Sequence, residues 1–436
     1  MKSHIQKACM IFLCFILLSA CQGNANETIL EGNGDKMKET IQQENKNMSD
    51  GAKEENAISP SNVDAGATES ERKGEYQKVA TPASPQEMRE LSSMELVADM
   101  GIGINLGNTL EAFGDWIKGT SVKDYETAWG SPVITREIIE GIARSGFKTV
   151  RVPVAWSNLM EADYTIHEGL MNRVEEVVGY ILENNMYAII NIHYDGGWFA
   201  KFSTDYDEAM KKYRSIWKQV SERFKNYSDY LIFESLNEEG CWDDIWNRWS
   251  GNNESKPKAY GILNNINQEF VNIVRASGSN NTKRHLLIAG YATDIDLTCD
   301  PEFKMPEDPA GRLIVSVHYY TPPTFCILSE DADWGKAAAT WGTEEEVLQL
   351  KTNFEKMKRN FVDKGIPVIV GEYGATTKNK ERASVVKFLT MVCQTAYEMN
   401  MCPILWDTPG GFYNRYTCSF DDKELLESFQ RIASSR

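Results

Sequence analysis

From Met88 onward, short apolar segments alternate with longer amphipathic stretches. Eight segments have the length and β-branched content of strands: Ile102–Leu106, Thr149–Val154, Ala188–Ile192, Tyr230–Leu236, His285–Ala289, Leu313–Val317, Pro367–Val370 and Cys402–Trp406. Between them, apolar residues three and four positions apart predict helices, and the clearest are Thr135–Ser145, Leu170–Asn184, Glu208–Phe224, Tyr260–Ala276, Glu344–Asp363 and Ala383–Glu398. This alternation predicts an α/β fold with a parallel sheet covered by helices.

The number of strand–helix units favours one architecture within that class. Eight units over about 350 residues fit a (β/α)8 TIM barrel with enlarged loops. An open doubly wound sheet is less compatible, because no glycine-rich phosphate loop follows the first strand. Gly146 and Gly365 stand where two helices are expected to end.

The amino terminus has the pattern of an export signal. Lys2 and Lys7 precede the apolar run Met10–Leu18, which is too short to span a bilayer, and the run ends in Leu18-Ser19-Ala20-Cys21. This resembles a bacterial lipoprotein signal, with cleavage before Cys21 and lipidation of its thiol. An ordinary cleaved signal with an incidental cysteine is the alternative. The resemblance predicts an extracellular, cell-surface lipoprotein held to the membrane by lipid on Cys21.

The segment after Cys21 has a different composition from the rest of the chain. Residues 22–85 are rich in Asn, Glu, Lys, Ser and Gly and show no sustained apolar period, which is typical of a disordered spacer. We therefore expect three parts: a lipoprotein signal peptide (1–20), an acylated cysteine with a disordered polar linker (21–87), and a folded domain (88–436).

Charge and cysteine content limit the partners of this domain. The chain carries 46 Lys and Arg against 63 Asp and Glu, a formal net charge of −17. Nucleic-acid binding needs a basic excess, so we expect no nucleic-acid partner, and we expect a monomer. The cysteines downstream of Cys21 show no metal-binding spacing, and the sequence leaves open whether they form disulfides or remain thiols.

Polar residues cluster at the carboxyl ends of the predicted strands, where (β/α)8 barrels place their active sites. Six strand ends carry them: Arg151 after strand two, His193 and Tyr194 after strand three, Asn237 and Glu238 after strand four, His318 and Tyr320 after strand six, Glu372 after strand seven, and Trp406 after strand eight. A lone polar residue in a loop means little, but convergence from six strands favours a functional site over a structural polar network.

Two carboxyls in this cluster suit glycosidic cleavage. Glu238 and Glu372 end the fourth and seventh strands, so they face each other across the barrel mouth. One carboxyl can donate a proton to the leaving oxygen while the other attacks the anomeric carbon. Retention of configuration needs the two about 5 to 5.5 Å apart, and inversion needs a wider gap that admits water.

The motifs together resemble a known family. Asn237-Glu238, Gly371-Glu372-Tyr373-Gly374, His318-Tyr319-Tyr320, Arg151 and His193 are similar to glycoside hydrolase family 5 (cellulase family A), and the match runs from about Leu91 to the end. Asn105-Leu106-Gly107-Asn108-Thr109-Leu110 and Trp129-Gly130 further resemble its bacterial endoglucanase and xyloglucanase branch, similar to subfamily 4. The resemblance makes 88–436 a glycoside hydrolase catalytic domain.

The resemblance implies roles for the two carboxyls and their neighbours. Glu238 becomes the acid/base and Glu372 the nucleophile. We expect Arg151 and Tyr320 to lower the pKa of Glu372, and the Glu372 anion to raise the pKa of Glu238. Asn237 is placed to hydrogen-bond the sugar 2-hydroxyl, or alternatively to bond backbone.

Further positions are candidate substrate-binding or supporting residues by the same resemblance: Asn108, His193, Tyr194, His318 and Trp406. Trp406 matches the tryptophan that floors the subsite before the cleavage point. Tyr194 stands where the branch often has a second histidine, which weakens the transfer of a two-histidine subsite. A zinc site at the histidines is a rival interpretation, but no further ligand cluster accompanies them, so we expect no metal and no cofactor.

Aromatic side chains are the expected means of gripping sugar rings, whose CH faces are apolar. The loop Gly196-Gly197-Trp198-Phe199 is a candidate for presenting such rings. The other tryptophans cannot be sorted from sequence into core and cleft.

The sequence therefore predicts a retaining endo-β-1,4-glucanase acting on β-glucan polysaccharides such as cellulose, mixed-linkage glucan or xyloglucan. A xyloglucanase, lichenase or mannanase of the same fold is the enzymatic alternative, because loops decide the substrate. A surface glycan-binding lipoprotein without catalysis is the alternative from another class, and the presence of both glutamates argues against it.

Overall fold

The computed structural model describes residues 88–240 and 242–435. The predicted signal peptide, the lipidated Cys21 and the linker to residue 87 lie outside these ranges and stay predictions.

Eight parallel strands form a closed barrel in chain order, with β8 pairing back to β1 through Ile404 beside Gly103. The strands are β1 (Gly103–Asn105), β2 (Thr149–Val152), β3 (Tyr187–Ile190), β4 (Leu231–Glu234), β5 (Leu286–Ala289), β6 (Leu313–Tyr319), β7 (Val368–Tyr373) and β8 (Cys402–Leu405). The predicted (β/α)8 barrel is confirmed. A small antiparallel hairpin of β9 (Tyr413–Asn414) and β10 (Ser419–Phe420) follows β8.

Helices cover the outside of the barrel. In chain order they are α1 (Ser93–Asp99), α2 (Val122–Glu126), α3 (Arg136–Arg144), α4 (Glu168–Glu183), α5 (Tyr206–Phe224), α6 (Lys256–Ala276), α7 (Ile295–Thr298), α8 (Pro323–Cys326), α9 (Glu344–Asn360), α10 (Arg382–Glu398) and α11 (Lys423–Ala433). The helix predicted to run to Asp363 ends at Asn360, and a separate 3-10 turn, Val362–Lys364, precedes Gly365 in the left-handed conformation.

The inside of the barrel has an apolar layer and a polar layer. Side chains alternate between the two faces of a strand, so residues two apart point the same way. The apolar layer at the amino end of the strands contains Ile189, Ile232, Leu287, Ile314, Ile369 and Ile404. Two residues further along their strands, Asn191, Glu234 and Ser316 lie in the polar layer above it. The polar layer at the carboxyl end of the barrel therefore lies on a packed apolar layer.

Helix α1 closes the amino end of the barrel. Its first turn is fixed by a capping box between Ser92 and Glu95, and Leu96 and Val97 pack onto the apolar layer. The hydroxyl of Ser93 lies 2.9 Å from Nδ1 of the fully buried His285, the residue before β5. Burial lowers the pKa of His285 to about 4.

This buried histidine makes stability depend on pH. The folded protein keeps His285 neutral down to about pH 4, whereas the unfolded chain takes up the proton near its ordinary pKa of 6.5. The contribution of this group to stability is therefore full above pH 6.5 and falls between pH 6.5 and 4, by about 3 kcal/mol. The free energy of unfolding of His285→Gln, measured with urea, should fall less between pH 6.5 and 4 than that of the wild type. Equal slopes in the two proteins would contradict the assignment.

Strands β6 and β7 extend further at their carboxyl ends than the sequence predicted, and their pairing is irregular there. Val317 pairs with Val370, but the next pair is His318 with Glu372, so Gly371 is an extra residue in β7. A Cβ on Gly371 would lie 3.0 Å from the Ser316 hydroxyl and 3.1 Å from His318 Nε2. A side chain at this position would crowd Ser316 and His318, so glycine is favoured, and the shift brings His318 beside Glu372.

Among the described cysteines, Cys299, Cys326, Cys393 and Cys418 are free thiols. Cys326, Cys393 and Cys402 are buried among apolar side chains. The question that the sequence left open is therefore answered for these four thiols, and the buried cysteines pack as small apolar residues.

Candidate active site

The two glutamates meet through His318 at the carboxyl end of the barrel. Nδ1 of His318 lies 2.8 Å from Oε1 of Glu238 and 3.7 Å from Oε2 of Glu372. One side-chain oxygen of each glutamate and one nitrogen of His318 all lie within 4.8 Å of one another. The two carboxyls are thus closer together than in inverting glycosidases, which keep them about 6.5 to 9.5 Å apart to leave room for a water molecule.

Arg151 is the hub of the polar layer. Its Nη1 donates to Glu372 Oε1 at 2.7 Å, its Nε donates to Glu234 Oε2 at 2.7 Å, and its Nη2 donates to Asn237 Oδ1 at 2.8 Å. Nη1 also donates to Asn105 Oδ1 at 3.0 Å. The guanidinium is fully buried, so these contacts fix its orientation and keep a positive charge beside Glu372.

Sequence reasoning missed the residues that hold this hub. Glu234 is fully buried, and it accepts hydrogen bonds from Ser316 at 2.8 Å and from Asn191 at 3.1 Å as well as from Arg151. The amide of Asn105 donates to the carbonyl of the extra residue Gly371 at 3.0 Å. The available signal was the two-residue period: a charged Glu234 two positions after Ile232 in an apolar strand must point into the barrel.

Glu372 is held from two sides. Arg151 donates to one carboxylate oxygen, and the Tyr320 hydroxyl donates to the other at 2.9 Å. Burial nevertheless raises the pKa of Glu372 above its ordinary value, against the opposing effects of His318, Arg151 and Tyr320. The predicted lowering is wrong in sign: the two predicted contacts are present, but desolvation outweighs them.

Glu238 lies in a different environment. Burial raises its pKa to about 7, against the effect of Arg151, and the charge of Glu234 adds to the rise. The sequence named the charge of Glu372 as the cause, but desolvation dominates. Its described partner, His318, is neutral at ordinary pH because burial lowers the His318 pKa to about 4. Glu238 therefore keeps its proton below about pH 7 while contacting an uncharged ring.

A third carboxyl lies next to this pair and was also missed. Burial raises the pKa of Glu239 to about 8, and the charges of Glu238 and Asp195 contribute. Glu239 is thus protonated at neutral pH and adds no charge beside Glu238. The sequence signal, two consecutive glutamates after a strand, was present in Asn237-Glu238-Glu239.

Trp406 and His193 form one wall of the site. Their ring planes are within 4° of parallel, with centroids 5.7 Å apart. Trp406 is partly exposed, while His193 is buried and burial lowers its pKa well below the ordinary value. His193 Nε2 is buried and has no described hydrogen-bond partner, so a neutral polar atom is left for a ligand near the Trp406 ring.

The loop after β3 does not present the aromatic rings that the sequence suggested. Trp198 stacks on Phe199 with centroids 4.1 Å apart, both are buried, and the indole N–H donates to Asp195 Oδ2 at 2.7 Å. That interpretation is wrong, because the loop folds its rings onto the barrel. Most of the unsorted tryptophans are likewise buried: Trp156, Trp242, Trp246, Trp334 and Trp341.

Asn108 and Tyr194 have local structural contacts. Asn108 adopts φ 58°, and its backbone N–H donates to the buried carboxylate of Glu111. Tyr194 lies over Gly197, where an added Cβ would be 2.9 Å from the Tyr194 hydroxyl. Both are on loops at the carboxyl end of the barrel, and their predicted contacts with substrate stay predictions.

The histidines do not share a metal site within the described ranges. The one described set of potential ligands consists of Glu238, His318 and Glu372, and it excludes His193. Because this set contains both glutamates, a bound metal would compete with their proton-transfer and nucleophilic chemistry.

Two carboxyls at the ends of β4 and β7 of a (β/α)8 barrel are typical of glycoside hydrolases. Residues 110–409 match the family model described as cellulase, glycosyl hydrolase family 5. Endoglucanase B of Clostridium cellulovorans is 33% identical over 80% of this chain and 77% of its own length. The chain belongs to the cellulases of glycosyl hydrolase family 5.

Two further matches are similarly extensive. A xyloglucan-specific endo-beta-1,4-glucanase of Bacteroides ovatus is 34% identical over 73% of this chain and 66% of its own length. The structure of a GH5-4 broad specificity endoglucanase from Ruminococcus champanellensis with bound cellotriose matches at 35% identity and a TM-score of 0.71, over 79% of this chain and all of the other. The predicted family, its subfamily 4-like branch and the assignment to its endoglucanases are confirmed.

Proposed function

We propose that the chain cleaves internal β-1,4 bonds of β-glucans with retention of configuration, Glu372 acting as nucleophile and Glu238 as acid/base. The observation that carries this assignment is the asymmetry of the pair. Glu372 receives hydrogen bonds from Arg151 and Tyr320, which stabilise its anion, whereas Glu238 contacts the neutral ring of His318. The short separation supports direct attack over attack through water.

The reaction proceeds in two displacements. A Glu372 oxygen bonds to the anomeric carbon while Glu238 transfers its proton to the departing glycosidic oxygen, which leaves as a hydroxyl. Glu238, now ionised, then removes a proton from water, and the water oxygen displaces Glu372 from the sugar. The product keeps the β configuration, and both carboxyls return to their starting states.

Neighbouring residues support the sugar before the cleavage point. Arg151 binds Asn237 Oδ1, which turns the amide NH2 of Asn237 away from the hub and toward a sugar 2-hydroxyl. Trp406 supplies an aromatic floor beside His193 Nε2. Asn108 and Tyr194 are assigned to flanking substrate contacts.

A substrate panel tests this function. Release of reducing sugar from barley β-glucan, carboxymethyl cellulose, xyloglucan, glucomannan and xylan is measured with the wild type and with Glu372→Gln. We expect cleavage of β-1,4-glucans that resists EDTA and is lost in the variant. Fast cleavage of xyloglucan alone would instead assign the specificity named for the Bacteroides ovatus relative. Binding without cleavage of any polymer would support the glycan-binding alternative.

The kcat/KM for glucan cleavage should decline on the basic side of neutral pH. Glu238 acts first as an acid, and its pKa is raised to about 7, so kcat/KM falls as pH rises through about 7. An aryl glycoside with a dinitrophenolate leaving group needs no proton, so its kcat/KM should not fall in that range. If both substrates lose activity at the same pH, Glu238 is not the group responsible.

The proposed location is the outer surface of a bacterial cell, with lipid on Cys21 as the anchor. The support is the Leu18-Ser19-Ala20-Cys21 motif and the polar segment that follows it. None of the described helices combines the length and apolarity needed to cross a membrane. Radiolabelled palmitate incorporated by the wild type, but not by Cys21→Ala, would support lipidation.

A further inference from the structure

The side chain of Trp406 is supported at both of its ends. Its backbone N–H donates to the carbonyl of Tyr373, the residue after Glu372, at 2.8 Å. The far edge of its ring lies against Gly107, where an added Cβ would be 2.9 Å from Cζ2 and 3.0 Å from Cη2 of the indole. The barrel therefore fixes where the side chain begins, and the position of Gly107 limits the tilt of the ring.

Arg415 joins the loop after β1, which contains Gly107, to the loop after β8. The N–H of Gly107 donates to the carbonyl of Asp407 at 3.0 Å. Nη2 of Arg415 donates to the carbonyls of Gly107 at 2.9 Å and Asp407 at 3.1 Å. Nη1 of Arg415 donates to the Ser131 hydroxyl at 3.0 Å. One guanidinium group thus holds together the two loops that meet at the Trp406 ring.

The contacts of Arg415 favour the loop carbonyls over the nearby carboxylate. Arg415 is buried, yet its Nη2 lies 3.7 Å from Oδ2 of Asp407, which is too far for a hydrogen bond. That oxygen and Nε of Arg415 are both buried without a hydrogen-bond partner in the described part of the chain. Unpartnered buried polar atoms cost free energy, and native proteins keep them mainly at functional sites. The geometry of Arg415 is therefore that of a loop clamp rather than of an ion pair.

We infer that Arg415 is a positioning residue for the reaction and acts through Trp406. By holding the Gly107 peptide against the ring, it keeps Trp406 at the angle that supports the sugar before the cleavage point. This inference rests on the proposed function, in which Trp406 is the floor beneath that sugar. A displacement of about 1 Å in a group that orients the substrate can lower the rate on the order of 100-fold.

A double-mutant cycle tests the coupling between Arg415 and Trp406. The full-length protein is assayed with 2,4-dinitrophenyl β-cellobioside, which needs no proton on its leaving group and places its two sugars before the cleavage point. Arg415→Met should lower kcat/KM about 10- to 100-fold, mainly through kcat, because the sugar still binds but loses support in the transition state. In the Trp406→Ala background the same substitution should change kcat/KM by less than about twofold.

The matched control is Arg284→Met. Arg284 is also fully buried and donates to backbone carbonyls, those of Ser228 and Leu231 among them, but it lies at the amino end of the barrel. Its substitution should lower the midpoint of urea unfolding while kcat/KM of the folded protein stays at the wild-type value. If either methionine variant fails to fold, Arg415→Lys and Arg284→Lys give the same comparison, because lysine keeps the charge but not the fork of donors.

The possible outcomes separate this inference from the proposed function. An unchanged kcat/KM in the Arg415 variant, or an equal loss with and without Trp406, would overturn the positioning role. An equal loss in the Arg284 variant would also overturn it, because that result indicates a general effect of losing a buried arginine. A wild type that cleaves neither this substrate nor β-glucan would instead reject the proposed function itself.

Discussion

Glu372→Gln is expected to reduce kcat on β-glucan by a factor on the order of 10⁴ or more, since losing a nucleophile removes the covalent route. The amide keeps the size of the side chain and can still contact Arg151 and Tyr320, so the protein should fold. Initial rates of reducing-sugar release, with protein content checked by circular dichroism, measure the effect. A variant that hydrolyses glucan at the wild-type rate would reject Glu372 as nucleophile.

The matched variant Glu238→Ala separates the two roles. Without its acid, the enzyme should lose cleavage of glucan but retain much of the first step on a dinitrophenyl glycoside, whose leaving group needs no proton. Added azide should then accelerate turnover and give a β-glycosyl azide, because a small anion replaces the missing base-activated water. In Glu372→Ala the same anion should give the α product. If Glu238→Ala gave the α azide and Glu372→Ala gave the β azide, the two roles would have to be reversed.

Arg151→Met is expected to cause the largest loss of stability among single substitutions at the site. It leaves the carboxylates of Glu234 and Glu372 buried without their shared cation, which costs about 3 to 5 kcal/mol. The midpoint of urea unfolding should fall accordingly, and kcat should fall as well. Arg151→Lys should recover part of the stability but not the four-way geometry.

The control for this substitution is Arg382→Met. Arg382 also pairs with two carboxylates, Asp422 and Glu424, but its side chain is 59% exposed. Solvent screens such pairs, so the unfolding midpoint should hardly move. If the two variants lose similar stability, the hub is not the element that holds the barrel mouth together.

The barrel was predictable because its signal is spread over the whole domain. Eight apolar segments separated by helical periods specify eight strand–helix units, and each strand was found within a few residues of its expected place. The misplaced ends of β6 and β7 have a specific cause. An apolar pattern predicts where a strand is buried, but it does not report the extra Gly371 or the pairing of His318 with Glu372.

Sequence motifs predicted that Glu238 and Glu372 lie together, and the structure places them close to each other. The site was not predictable where a role depends on a partner distant in sequence. Glu234 acts through Arg151, 83 residues away, and Ser316 acts through Glu234, 82 residues away. The predicted direction of the Glu372 pKa shift was also wrong, because desolvation depends on neighbours that only the fold brings together.

Because of the hub, sequence changes that alter the choice of polysaccharide differ in location from changes that would alter the geometry of the two carboxyls. Arg151 joins side chains of β1, β4 and β7 to its own strand and binds Asn237, the neighbour of Glu238, so the hub ties the positions of both carboxyls to the barrel. Glu238 lies just beyond the end of β4, beside Asn237, which is fixed to the hub, so loop segments further from the strands do not set the distance between the two carboxyls. Insertions and substitutions in those loops can therefore change which polysaccharide is accepted while the stereochemical course of the reaction is inherited unchanged.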